Sequence, residues 1–247
     1  MEYHNNRILS FLTQIQSGEP YRHEYKYTLH PYQLEALKAR LPYIMDRDGH
    51  TDGSGQYQIR SLYFDDYEDS GFYDKENGTD PREKFRIRIY NASSDVIKLE
   101  LKRKDRGKTL KTACSLTKEQ AERMMNGDGI VWEDGMHPLL KKFYLHQETR
   151  NLKPKVIVEY DRMPFVYEAG NVRATLDLDI RATSEVQRFF DSQINGRLIM
   201  PTGIQLLEVK FDEFLPDYIY QTLQLNHLQQ TTFSKYYLCR KFGGITL

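Results

Sequence analysis

Residues 83–90 read Glu83-Lys84-Phe85-Arg86-Ile87-Arg88-Ile89-Tyr90. Lys84, Arg86 and Arg88 alternate with Phe85, Ile87 and Ile89. A period of two with unlike partners marks a β-strand with one basic and one apolar face. Taken alone, it is an ordinary half-buried strand whose charges sit in water. The decision turns on whether neighbouring strands repeat the same sign on the same face.

They do. Residues 97–104 place Lys98, Glu100, Lys102 and Lys104 opposite Ile97, Leu99 and Leu101. The polar turn at 91–95 makes these two strands an antiparallel hairpin. Residues 22–27 bring Arg22, Glu24 and Lys26 to one face, and residues 205–211 bring Leu206, Glu208 and Lys210. Residues 155–165 carry Val156, Val158, Tyr160 and Arg162 together; residues 172–180 carry Arg173, Thr175, Asp177 and Asp179. With strands at 56–65 and 108–115, the count is about eight.

Helices are expected at 31–41, with Pro31 in the first turn and Leu34, Leu37 and Leu41 as its stripe. Others follow from the capping box Thr117-x-x-Gln120 to about residue 126, and at 137–150, 216–225 and 234–242. Residues 1–20 form an N-terminal extension: Ile8, Leu9, Phe11, Leu12 and Ile15 predict a short amphipathic helix that packs on the domain or on a partner. Residues 46–55 are expected as a polar loop, and the acidic connection 66–81 as a cover over one end. The remainder, 21–247, reads as one α+β domain.

Composition narrows the function. The 247 residues have a formal net charge of +0 at pH 7, which argues against a protein that coats polyanions generally. The 18 Tyr and 12 Phe favour strands. Cys114 and Cys239 lack metal or disulfide spacing, so a reducing, cytoplasmic setting is expected. No apolar run reaches spanning length. The seven histidines form no ligand pair, and neither a Walker A nor a GxGxxG motif is present.

Like charges on adjacent strands repel unless carboxylates or bound anions relieve them. The arrangement predicted is an eight-stranded antiparallel β-barrel, its lumen charged and its apolar exterior covered by helices. Such a bore is narrow. It suits a triphosphate or phosphate chain and excludes a nucleic-acid duplex.

At this level the chain resembles the triphosphate tunnel metalloenzymes of the CYTH-like superfamily, and more closely their VTC domain, the polyphosphate polymerase branch. The resemblance spans about residues 21–242. It rests on Arg22-x-Glu24-x-Lys26-Tyr27, Ser61-x-Tyr63-Phe64-Asp65, Arg86-x-Arg88, Glu100-x-Lys102, Glu159-Tyr160-x-Arg162, Arg173-x-x-Leu176-Asp177, Glu208-Val209-Lys210 and Ser234-Lys235-Tyr236, in that order.

The resemblance implies metal-dependent phosphoryl transfer within an eight-stranded tunnel. Arg86, Arg88, Arg162 and Arg173 are expected to clamp phosphate oxygens, because a guanidinium meets two oxygens at once and stays charged. Lys26, Lys102 and Lys235 would act as point charges along the chain. Arg22, Tyr63, Lys84, Lys210 and Ser234 are expected to contact substrate. Glu208 is the expected ligand for Mg²⁺ or Mn²⁺, with Glu24 and Glu100 supporting the metal or offsetting lysines. The plainer alternatives are a salt bridge for Glu208 and a helix N-cap for Ser234.

The leading expectation is polyphosphate synthesis from ATP or another nucleoside triphosphate, with phosphate or pyrophosphate among the ligands. The alternatives are a tripolyphosphatase or nucleoside triphosphatase of the same fold, and a non-catalytic polyphosphate sensor. The tunnel hydrolases carry Glu-x-Glu-x-Lys in the first strand; Arg22 replaces the first Glu and is expected to add a cation to the tunnel. The resemblance also implies a membrane-protein partner for a chain that does not itself span.

Overall fold

The computed structural model describes residues 21–49, 51, 53–223 and 228–243. The expected N-terminal helix lies outside them, as does the end of the helix expected at 216–225. The elements in order are β1 (His23–Leu29), α1 (Pro31–Arg40), β2 (Asp46–Arg47), β3 (Tyr57–Asp65), α2 (Ser70–Glu76), β4 (Arg82–Tyr90), β5 (Ser93–Asp105), β6 (Lys108–Ser115), α3 (Lys118–Asn126), α4 (Pro138–Arg150), β7 (Lys153–Tyr167), β8 (Val172–Thr183), β9 (Arg197–Leu198), β10 (Gln205–Phe211), α5 (Asp217–Leu223) and α6 (Lys235–Gly243).

Eight long strands form one curled sheet in the order β1-β10-β8-β7-β3-β4-β5-β6; β2 pairs with β7 and β9 with β8. The β4–β5 turn puts Asn91 and Ala92 at φ 51 and 52, the left-handed pair that a tight hairpin requires. The two edge strands meet where Arg22 and Thr109 exchange backbone hydrogen bonds of 3.0 Å. Beyond that bridge the free edge of β1 is met by the segment before α6, through Tyr27 and Gln230. The eight-stranded antiparallel tunnel expected from the alternation is therefore present.

The outer face holds two apolar clusters. Leu62, Phe85, Ile87 and Leu99 pack under α3 and α4 through Met124, Leu139 and Phe143. Ala174, Leu176, Leu207 and Val209 pack under α1 and α5 through Leu34, Leu37, Ile219 and Leu223. The Thr117 capping box forms as expected: Gln120 N–H donates to the Thr117 hydroxyl, and Thr117 N–H to the Gln120 side chain.

The concave face is only partly charged. On β3, β7 and β8 it carries Ile59, Val156, Val158 and Ile180, and α6 fills this half with Tyr236 and Cys239 beside Phe233. The last helix thus lies against the inside of the sheet, whereas the alternation placed the helices outside. Within the connection 66–81, expected as a cover over one end, lies the helix α2. The Asp65 carboxylate accepts from Gly71 and Phe72 N–H in its first turn and from the Tyr236 hydroxyl, tying α2 and α6 to the end of β3. The polar loop at 46–55 likewise begins with the short strand β2.

Candidate functional site: a basic tunnel

The charged half of the concave face bounds a cavity of about 200 Å³. Lys26, Lys84, Arg86, Arg88, Lys102, Arg162, Lys210 and Lys235 line it with Tyr63, Ser234 and the carboxylates Glu24 and Glu208. Every one of these was singled out from the sequence. Strand parity brings most of them together at alternate positions of their strands, the register sets Glu24 opposite Lys210 and Lys26 opposite Glu208, and the start of α6 adds Ser234 and Lys235.

Each carboxylate is held by several cations. Lys26 Nζ stands 2.7 Å from Glu24 and 3.8 Å from Glu208, and Lys102 Nζ reaches Glu24 at 2.7 Å. Glu208 also pairs with Lys210 at 2.5 Å and Lys235 at 3.8 Å. Asp177, wholly buried, takes a two-pronged bond from Arg162 and a contact of 2.6 Å from Lys235.

Burial would push these acids up, but their cations win. Lys102 and Lys26 hold the Glu24 carboxyl well below the usual range; Lys210, Lys26 and Lys235 do so for Glu208, and Arg162 and Lys235 for Asp177. Burial lowers Lys84 to about 7, with Arg82 adding to the shift; its ammonium lies 4.7 Å from the centre of the Tyr236 ring. Burial also lowers Lys102 to about 7, with Lys26 and Lys210 pulling against Glu24.

Three expected site residues stand apart from the cavity wall. Arg22 turns to Asp212 at 2.8 Å and to the Asn171 carbonyl, so the cation expected in the tunnel at the start of β1 is not there. Arg173 shares the inner face of β8 but bonds Asp48 at 2.6 Å and the Tyr57 hydroxyl at 3.0 Å. Glu100 sits behind the wall, 2.7 Å from Arg86, 3.7 Å from Arg88 and 3.6 Å from Lys111. It braces the arginines, and Arg88 and Arg86 hold its carboxyl well below the usual range against burial.

Ser234 caps α6, accepting from Tyr237 N–H at 3.4 Å, while also lining the cavity. His23 stacks on Phe211 at 5.0 Å, a packing role on the outer face. The sequence reading gave no site role to Lys75, Arg82, Lys104, Tyr160 or Tyr236, all of which line the cavity. Lys104 and Tyr160 shared faces with site residues already recognised; Lys75 rides on α2 and gave no such signal.

The donor set suits a hard divalent cation. Glu24 and Glu208 are ionised, and both lie within 4 Å of the Lys26 ammonium. Among the described residues no group of three His, Cys, Asp or Glu could hold a metal unaided. Mg²⁺ and Mn²⁺ ordinarily take one or two carboxylates and complete their shell with phosphate oxygens and water. Glu100, committed to Arg86 and Arg88, is the poorer candidate.

A family model, that of the VTC domain, matches residues 21–242. The chain belongs to the VTC domain family. Among solved structures it is similar to a Hippeastrum protein described as a candidate adenylyl cyclase with a dominant triphosphatase activity: 13% identity, TM-score 0.53, 89% of this chain and 95% of that one. That likeness supports the tunnel fold. A Bacillus halodurans protein described as a candidate adenylate cyclase aligns at 16% identity and TM-score 0.48, over 82% and 86% of the two chains. A Pyrococcus horikoshii protein aligns at 14% and 0.48, over 90% and 99%. Among curated proteins no sequence matches.

Proposed function

We propose that this VTC domain is a metal-dependent polyphosphate polymerase: it binds the phosphates of ATP, or another nucleoside triphosphate, in the basic tunnel and transfers the γ-phosphoryl group to a growing polyphosphate chain. Arg86, Arg88 and Arg162 would grip phosphate oxygens. Lys26, Lys102 and Lys235 would neutralise charge along the chain, with Lys84, Lys210, Tyr63 and Ser234 contacting substrate. Glu208, with Glu24, would hold Mn²⁺ or Mg²⁺, which supplies charge neutralisation at the transferring phosphoryl group.

One observation carries the choice of reaction: each lumen carboxylate is pinned in its ionised form by lysines. A general base works best when its pKa lies near the working pH, so Glu24 and Glu208 are poorly matched to deprotonating water. A terminal phosphate needs no such base, because it is already an anion. What the step requires is in-line positioning and charge neutralisation, and the cations that line the tunnel supply the second. The departure of Arg22 from the Glu of tunnel hydrolases removes a further carboxylate and favours the same reading.

A triphosphatase is the second reading, favoured by the triphosphatase activity ascribed to the Hippeastrum protein of the same fold. Incubating the protein with ATP and Mn²⁺, resolving products on a gel and measuring free phosphate separates them. Chains plus ADP support the polymerase, and free phosphate without chains supports the hydrolase. Tight polyphosphate binding without turnover leaves a sensor.

Among the described residues no helix is long and apolar enough to cross a membrane. The free, buried Cys114 and Cys239 fit a cytoplasmic setting, and a membrane protein that accepts the product would be the partner.

A further inference from the structure

Along the tunnel wall the charge pattern changes at one end. Arg162, Arg86 and Arg88, and Lys26, Lys102, Lys210 and Lys235, each lie within 4 Å of a carboxylate. Lys75 of α2, Arg82 at the start of β4 and Lys104 near the end of β5 line the same cavity, and among the described residues none of the three has a carboxylate within that distance. Arg82 and Lys104 are opposed in register, so two like charges face each other where a sheet ordinarily pairs opposites.

Burial lowers Lys75 and Lys104, and Arg82 pushes both further down, while Glu24 and Asp80 pull Lys104 the other way from beyond ion-pair distance. At about 3.4 Å per residue, Arg82 stands roughly 14 Å along β4 from Arg86. Three phosphates anchored at Arg86, Arg88 and Arg162 are short against that span.

We propose that Lys75, Arg82 and Lys104 form a second anion subsite at the mouth of the tunnel, which takes linear polyphosphate beyond the three phosphates held inside. This rests on the proposed binding of phosphate chains in the tunnel. It gives the site a preference for long chains that the inner arginines alone do not supply, and it makes the α2 end the side on which the chain lies.

The test is calorimetric titration of wild type and a K75Q/K104Q double variant with tripolyphosphate and with a longer linear polyphosphate at fixed ionic strength. Both substitutions are on half-buried side chains without ion-pair partners among the described residues, and circular dichroism checks the fold. Wild type should bind the long chain more tightly than tripolyphosphate. The double variant should lose about tenfold for the long chain and less than about twofold for tripolyphosphate. A control lacking two cations on the outer helix α3, K118Q/R123Q, should bind both as wild type does.

Equal weakening of both ligands would make the mouth part of the triphosphate site and overturn the subsite. An unchanged double variant, or a control that loses as much, would overturn it equally while leaving the polymerase reading in place. Wild type that binds neither ligand would overturn both.

Discussion

Arg162 and Asp177 form a two-pronged ion pair, Nε to Oδ1 at 2.7 Å and a second guanidinium nitrogen to Oδ2 at 2.8 Å, where solvent does not reach the carboxylate. Lys235 completes the triad at 2.6 Å, so one buried acid fixes two of the cations assigned to phosphate. An Asp177→Asn variant keeps the shape, leaves Arg162 uncompensated and leaves Lys235 only the longer contact to Glu208. Its stability to urea should fall by about 3–5 kcal/mol, the cost of breaking a buried pair from one side. Tripolyphosphate should raise its melting temperature by more than it raises that of wild type, because the anion stands in for the missing charge.

A Glu208→Gln variant removes the carboxylate placed for the metal while keeping its volume. Turnover of ATP with Mn²⁺ should fall on the order of 100-fold, the scale for losing one electrostatic group in a transition state. Metal-free binding of tripolyphosphate should be retained or tightened, since Lys210 loses its counter-charge and Lys26 and Lys235 each lose the more distant of two. Unchanged turnover would remove Glu208 from the metal role.

Arg86 has the Tyr63 hydroxyl and Glu100 as partners, which aim its guanidinium along the wall. Truncation to alanine should cost about 1.5–3 kcal/mol of tripolyphosphate affinity, one charge-assisted contact. Calorimetry measures it directly.

Lys84, at about 7 in the free protein, ties binding to pH. Arg82, Lys102 and Lys75 lower it, and Asp65 opposes them. A polyphosphate beside it favours the charged form and raises its pKa. Below pH 7 the ammonium is present whether or not the ligand is bound, so affinity is greatest there. As pH rises above 7, binding must take up a proton and affinity falls. Titrations in buffers of different ionisation enthalpy should show that uptake. A Lys84→Arg variant, charged throughout, should lose this share of the slope, leaving the contribution of Lys102.

The alternation in residues 83–90 and 97–104 made the tunnel legible, because strand parity alone decides which side chains share a face. Parity does not say where along the wall a side chain is used. Arg22, Glu100 and Arg173 all lie on faces with the right period, yet one bonds Asp212, one braces Arg86 and Arg88, and one bonds Asp48 and Tyr57. Asp212, Asp48 and Tyr57 are distant in sequence from the arginines they bind, and Glu100 meets Arg86 across the β4–β5 hairpin, where parity alone does not tell a brace from a ligand. The inward position of α6 was hidden for a related reason. Ile59, Val156 and Val158 alternate like any apolar strand residues, and nothing local tells the inside of a curled sheet from the outside. Helix α2 gave no periodic signal either; its first turn is held by the carboxylate of Asp65 at the end of β3.

In the proposed reaction the tunnel would hold the reacting phosphates with the metal on Glu208. A crystal structure with a non-hydrolysable ATP analogue and Mn²⁺ tests it most directly. Terminal phosphate oxygens are expected within hydrogen-bonding distance of Arg86, Arg88 and Arg162, with Mn²⁺ bound by Glu208 and phosphate. Phosphates bound outside the tunnel, or Mn²⁺ bound at Glu100 with Glu208 still paired to Lys210, would contradict it.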